Sequence, residues 1–167
     1  MKAPAIALIS AASASCLVAG IADLGQITEI TVERTACYGT CPVYKVTLRS
    51  DGTVSYEGKE FVKTKGRRSG RISPVDFQQL ARQVQHIGFF DMKDEYVSKQ
   101  NPNGSRSRVT DLPTTLTTVQ QGKNRKTVKD YYGGPEALRE LEDLIDRVSR
   151  SETWVKGQHD KTGTWKN

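Results

Sequence analysis

The chain has little with which to do chemistry. Among its 167 residues are only two histidines and three cysteines. His86 and His159 offer slight general-base capacity, and neither has a recognisable nucleophile beside it in sequence. There is no His-Glu-x-x-His pair, no Gly-x-Ser-x-Gly elbow and no phosphate-cradling glycine loop, so the common metalloprotease, hydrolase and nucleotide-binding signatures are absent. These absences weigh against an enzyme without deciding the matter, and no cofactor or metal is called for. After residue 22 no apolar run is long enough to span a bilayer. Lys and Arg total 25 against 19 Asp and Glu, a net charge of +6 that permits anionic partners without requiring them. The basic residues gather at Lys63, Lys65, Arg67, Arg68 and Arg71, with Arg106 and Arg108 in a second loop. No aromatic residue interrupts Lys63 to Arg71, so nucleic acid is not expected and a solvated loop accounts for the run.

What is present begins with Met1-Lys2, a mostly apolar stretch from Ala3 to Ala22, and then Asp23. That is the form of a secretory leader, with Gly20 and Ala22 at the small-residue positions before a cut. The expected division is a leader over 1–22, a single domain over 23–155 and a disordered tail over 156–167. Lipidation at Cys16 is an alternative, although Ser13-Ala14-Ser15 lacks the leucine usual before a lipoprotein cysteine. An uncleaved anchor is disfavoured because the small residues make the stretch only weakly hydrophobic. Removing the leader removes Cys16 and leaves Cys37 and Cys41 as an even pair in an oxidising compartment, periplasmic or extracellular.

Those cysteines stand in Cys37-Tyr38-Gly39-Thr40-Cys41-Pro42-Val43-Tyr44. Four extended residues span roughly 13 Å, whereas a disulfide needs Cα atoms about 4.4–6.8 Å apart, so Gly39-Thr40 must turn the chain for the sulfurs to meet. Pro42 favours extended geometry at Cys41 and feeds a strand beginning at Val43. Three readings compete. The first is a structural disulfide shaping the loop; the others are a redox-active dithiol and a soft-metal site. The spacing resembles that of Sco-type copper-delivery proteins, but those place the motif before a helix and add a distal histidine, whereas a strand follows here. Only His86 or His159 could serve as a third ligand.

Ile30 and Val32 alternate with Thr31 and Glu33, predicting a first strand near Thr28 to Arg34. Tyr44, Val46 and Leu48, then Val54 and Tyr56, predict a hairpin. A three-residue loop, Ser50-Asp51-Gly52, keeps like faces together by pairing Leu48 with Val54 and Val46 with Tyr56. Lys59 to Thr64 is a candidate further strand. Ser73-Pro74 opens a helix whose apolar positions are Phe77, Leu80, Ala81, Val84 and Ile87, with Gly88 as its stop and Phe89-Phe90 as anchors in the core. Ser98 to Arg108 reads as an exposed mobile loop, and Thr114 to Gln120 with Arg125 to Tyr131 as a second hairpin around Gly122. Pro135 opens a last helix with Leu138, Leu141, Leu144, Ile145 and Val148 inward and an Asp143–Arg147 pair outward. The expected fold is a two-layer α+β domain, an antiparallel sheet built from hairpins with two amphipathic helices on one face.

The cysteine motif, together with Asp51-Gly52-Thr53-Val54-Ser55-Tyr56-Glu57-Gly58, Gly88-Phe89-Phe90, Asp111-Leu112-Pro113-Thr114 and Trp154, resembles one bacterial family, the domain of unknown function 6438, over roughly Ile27 to Trp154. The resemblance implies small exported or lipid-anchored domains, supports pairing of Cys37 with Cys41, and supplies no catalytic residue. Asp111 is the acid best placed to approach the cysteine turn, although such a side chain more often caps its own turn. His86 is the other candidate functional residue. The favoured function is a non-catalytic binding or structural role in the bacterial envelope, toward a protein, peptide or envelope component. The alternative is thiol-dependent redox or copper handling through Cys37 and Cys41.

Overall fold

A computed structural model describes residues 25–157. The expected leader, Cys16, His159 and all but the first residues of the expected tail lie outside them.

Four strands come first: β1 (Ile27–Arg34), β2 (Val43–Arg49), β3 (Thr53–Glu60) and β4 (Gly66–Arg71). Helix α1 (Pro74–His86) follows, then the short strands β5 (Glu95–Val97), β6 (Lys99–Gln100) and β7 (Arg106–Ser107). The long strands β8 (Thr115–Gln121) and β9 (Asn124–Tyr132) precede α2 (Glu136–Ser149) and the single turn α3 (Glu152–Val155). Seven strands form one sheet in the order β4-β3-β2-β1-β8-β9-β5. The expected α+β architecture is the one observed.

Alternation builds the core. Ile30 and Val32 of β1 lie opposite Leu48 and Val46 of β2, and Leu48 lies opposite Val54 of β3. This single apolar face meets Phe77, Leu80 and Val84 of α1 and Leu138, Leu141 and Ile145 of α2 in one buried cluster. Each such side chain contributes about 1.5–3 kcal/mol on burial. The β2–β3 register is that of the three-residue loop, with Gly52 at φ 82°. A side chain there would also meet the Ile72 carbonyl at 2.5 Å. Ser73 caps α1 by accepting from the Asp76 N–H (3.1 Å), and the Asp76 carboxylate accepts from the Ser73 N–H (3.4 Å).

Four local expectations are corrected. The extra strand is not at Lys59 to Thr64: β3 runs to Glu60, the chain breaks at Phe61 (φ 51°), and β4 is built from the basic run itself. As an edge strand with mostly exposed side chains, β4 carries no apolar alternation from which to be read. The 98–108 segment folds on itself as a β6–β7 ribbon. Pairing is not wholly antiparallel, because β5 runs parallel to β9. Finally, Asp143 turns to Arg34 (3.4 Å) rather than to Arg147.

α3 fastens the segment after α2 to β3 and to the turn that follows it. Trp154 stacks on Tyr56 with ring centroids 4.9 Å apart, and the carbonyls of Trp154 and Val155 accept from the N–H groups of Thr64 (2.8 Å) and Lys63 (2.9 Å).

Candidate functional site

At one end of the sheet the apolar face gives way to a polar row running across four strands. Arg34, the last residue of β1, lies directly opposite Tyr44 of β2 and Thr115 of β8, and Thr115 lies opposite Asp130 of β9. The period of two that sends Ile30 and Val32 into the core sends Arg34 to the same face. Helix α2 crosses this row. Its core stripe of Leu138, Leu141 and Ile145 is flanked, one position on from 141 and 145, by Glu142 and Asp146, with Ser149 a turn beyond Ile145, all buried.

Asp146 is the hub. One carboxylate oxygen, Oδ2, accepts from Arg34 Nη2 (2.7 Å) and Nε (3.0 Å). The other, Oδ1, accepts from the Tyr44 hydroxyl (2.9 Å) and the Ser151 hydroxyl (2.6 Å). Arg34 also donates from Nε to the Tyr44 oxygen (3.1 Å) and from Nη1 to Thr115 Oγ1 (3.2 Å). Burial and the adjacent Asp146 carboxylate push the Tyr44 phenol well above its ordinary range, so it remains a proton donor near neutral pH. Such a network ties β1, β2, β8 and the end of α2 into one rigid corner.

Beside it, Glu142 is only 3% exposed and accepts from Thr117 Oγ1 (3.0 Å). Burial raises its carboxyl to about 7, against the lowering effects of the Thr117 bond and Arg34. Burial raises Asp130 as well, opposed by the Gly134 N–H that donates to its Oδ1 (3.2 Å) and by Arg139. A Cβ at Gly134 would sit 2.5 Å from that carboxylate and would push it out of place.

The rim is made by loops. Cys37 and Cys41 form a disulfide with Cα atoms 5.7 Å apart, closing the β1–β2 connection just before Pro42. This loop lifts Tyr38 into solvent at 88% exposure. The 109–114 segment lies against it: the Tyr38 N–H donates to the Asp111 carbonyl (3.3 Å), and the Thr35 N–H to the Thr114 carbonyl (2.9 Å). On its other side the Tyr131 hydroxyl donates to the Val109 carbonyl (2.9 Å), which straps the segment across to β9.

Two clefts open beneath this rim. One, of about 540 Å³, is lined by Cys41, Pro42, Tyr44, Asp146, Glu152 and Val155 among others. The second, of about 520 Å³, reaches Leu112, Tyr131, Asp130, Arg139 and Glu142. Arg34, Pro113, Thr115 and Asp143 border both, so the polar row is their common floor. Their size suits a small ligand or a few residues of a partner.

Cys37, Cys41 and Asp111 thus come together at the rim. Asp111 meets the cysteine loop through its carbonyl, while its exposed carboxylate accepts from the Thr110 hydroxyl (2.9 Å) in a residue with φ 71°. His86 is exposed in the last turn of α1 and borders neither cleft. Among the described residues no group of three or more His, Cys, Asp and Glu side chains could hold a metal ion, and no helix is long and apolar enough to cross a membrane.

Sequence reasoning missed Arg34, Glu142 and Asp146. A signal existed in α2, where acidic residues at 142 and 146 repeat beside the apolar positions 141 and 145 and so must share the buried flank. Nothing local named the basic partner of Asp146, which is 112 residues away.

A family model described as a domain of unknown function (DUF6438) matches residues 28–149. No curated protein matches the chain. The match covers most of the sequence, so the chain belongs to that family.

Proposed function

We propose that this chain is an exported, non-catalytic binding domain of the bacterial envelope, and that it engages a protein or peptide at the disulfide-closed rim above the two clefts. The observation that carries this reading is the rim itself. A disulfide-closed loop presents an exposed tyrosine, and the strapped 109–114 segment sets the part-exposed Val109 and Leu112 beside it. Apolar and aromatic groups on rigid loops above a cleft are what a binding surface requires, because little conformational entropy remains to be lost on association. The groups on the floor point the same way: the Asp146 carboxylate, Arg34 and the Tyr44 hydroxyl are engaged with one another, which suits a scaffold better than a reacting centre. Export is supported by the leader-like Met1 to Ala22 segment and by the disulfide.

Intact-mass measurement of the protein from its native host, with and without reduction before alkylation and with copper(I) offered to the reduced form, tests this. The proposal expects a chain lacking residues 1–22, alkylation only after reduction and no retained copper. Free thiols or stoichiometric copper would replace it with the thiol-dependent alternative, in which Cys37 and Cys41 act as redox pair or ligands.

A further inference from the structure

The basic run that forms β4 holds a second feature, independent of the cleft. Among the described residues β4 is the terminal strand of the sheet, bonded to β3 on one side only. Its ladder parity follows from one contact. The Ile72 N–H donates to the Gly52 carbonyl (2.9 Å), and the register then runs 53 with 71, 54 with 70, to 58 with 66. Hydrogen-bonded and non-bonded pairs alternate in an antiparallel ladder. Residues 66, 68 and 70 therefore bond to β3, while Arg67, Ser69 and Arg71 turn their N–H and C=O groups outward. The Arg67 carbonyl fits this assignment, since the Arg68 guanidinium folds back to it (2.7 Å).

Side chains along the same edge add charge on both sides. Arg67 and Arg71 lie opposite Glu57 and Thr53, on the face away from the helices, and Arg68 lies opposite Tyr56 on the helix face. All three arginines are exposed, as is Lys65 just before the strand. An edge so charged resists pairing with a copy of itself, because arginine would face arginine. The same charges complement an acidic strand.

We propose that β4 is a docking edge for an extended acidic segment of another protein, which adds to the sheet as a further strand. Backbone bonds to Arg67, Ser69 and Arg71 would supply the register, and carboxylates at every second residue of the segment would meet Arg67 and Arg71 on the face away from the helices.

The test uses the purified protein and a blocked octapeptide of alternating Glu and Val, followed by fluorescence anisotropy and amide exchange. Binding is expected to protect the Arg67, Ser69 and Arg71 amides and to leave those of Arg68 and Gly70 as they were. N-methylation of the peptide on its β4-facing amides should weaken binding by about tenfold or more. Ser69→Pro should do the same, since proline is tolerated on an edge strand where its missing N–H faced solvent. A second variant, Arg67→Glu with Arg71→Glu, should lose the Glu-Val peptide and gain its Lys-Val counterpart. The proposal is overturned if the N-methylated peptide binds equally well, if no peptide binds, or if the protein pairs with itself through β4. Vesicles of phosphatidylglycerol bound through Arg67 and Arg71 yet indifferent to Ser69→Pro would assign the patch to a membrane surface instead.

Discussion

Glu142 offers a quantitative check on the corner. The unfolded chain releases this proton near the ordinary value of 4.5, whereas burial holds it in the folded protein to about 7. Between those values the unfolded state carries fewer protons, so Glu142 makes stability fall as pH rises, with no further loss above 7. At 1.36 kcal/mol per pH unit, the shift corresponds to about 3 kcal/mol. The group is almost fully buried, so solvent screening leaves that figure standing. Glu142→Gln keeps an oxygen to accept from Thr117 and removes the titration. Urea unfolding at pH 4.5 to 8.5 should give a variant about equal to wild type at the acid end and about 3 kcal/mol more stable at the alkaline end. Asp130 shifts in the same direction and remains in both proteins, so the difference reports Glu142 together with its repulsion from Asp130. Parallel stability curves would show that Glu142 ionises normally and would refute the burial account.

Asp146→Ala removes the hub of the polar corner, taking the buried carboxylate from the Tyr44 hydroxyl and from Arg34, which keeps only Thr115, the Tyr44 oxygen and the more distant Asp143. Arg34 is part-exposed and can rehydrate, so the cost should be about 3 kcal/mol, the low end for a broken buried pair. Thermal unfolding should shift down by roughly 10 °C, and a shift below 3 °C would mean that the corner is held by packing alone. Replacing both Cys37 and Cys41 by serine opens a loop of sequence separation 4 and should cost about 2 kcal/mol in chemical denaturation. The fold should survive, since neither cysteine belongs to the core cluster.

The sheet's main features were legible wherever one face is apolar. The Ile30–Val32 strand, the register through Leu48 and Val54, and the start of α1 at Ser73-Pro74 all follow from spacing and turn chemistry. Legibility failed where burial and polarity part company. β4 has no apolar face to alternate, and β5 is a three-residue strand whose parallel partner lies some thirty residues further on. The site was half visible. The cysteine turn and Asp111 marked the rim, because covalent geometry and turn residues leave local traces. The floor did not show, because Arg34, Thr115 and Asp146 come from segments far apart in sequence, and only the assembled register sets Arg34 between Tyr44 and Thr115.

The rim's role is tested most directly by a photo-crosslinking amino acid placed at Tyr38, with an identical probe at Val75, an exposed apolar position on α1, as control. After irradiation in cells that produce the protein, the account predicts one discrete adduct from position 38, none from position 75, and loss of that adduct when Cys37 and Cys41 are replaced by serine. Equal labelling from both positions, or no adduct from position 38, would contradict the claim that the disulfide-closed rim is where this domain meets its partner.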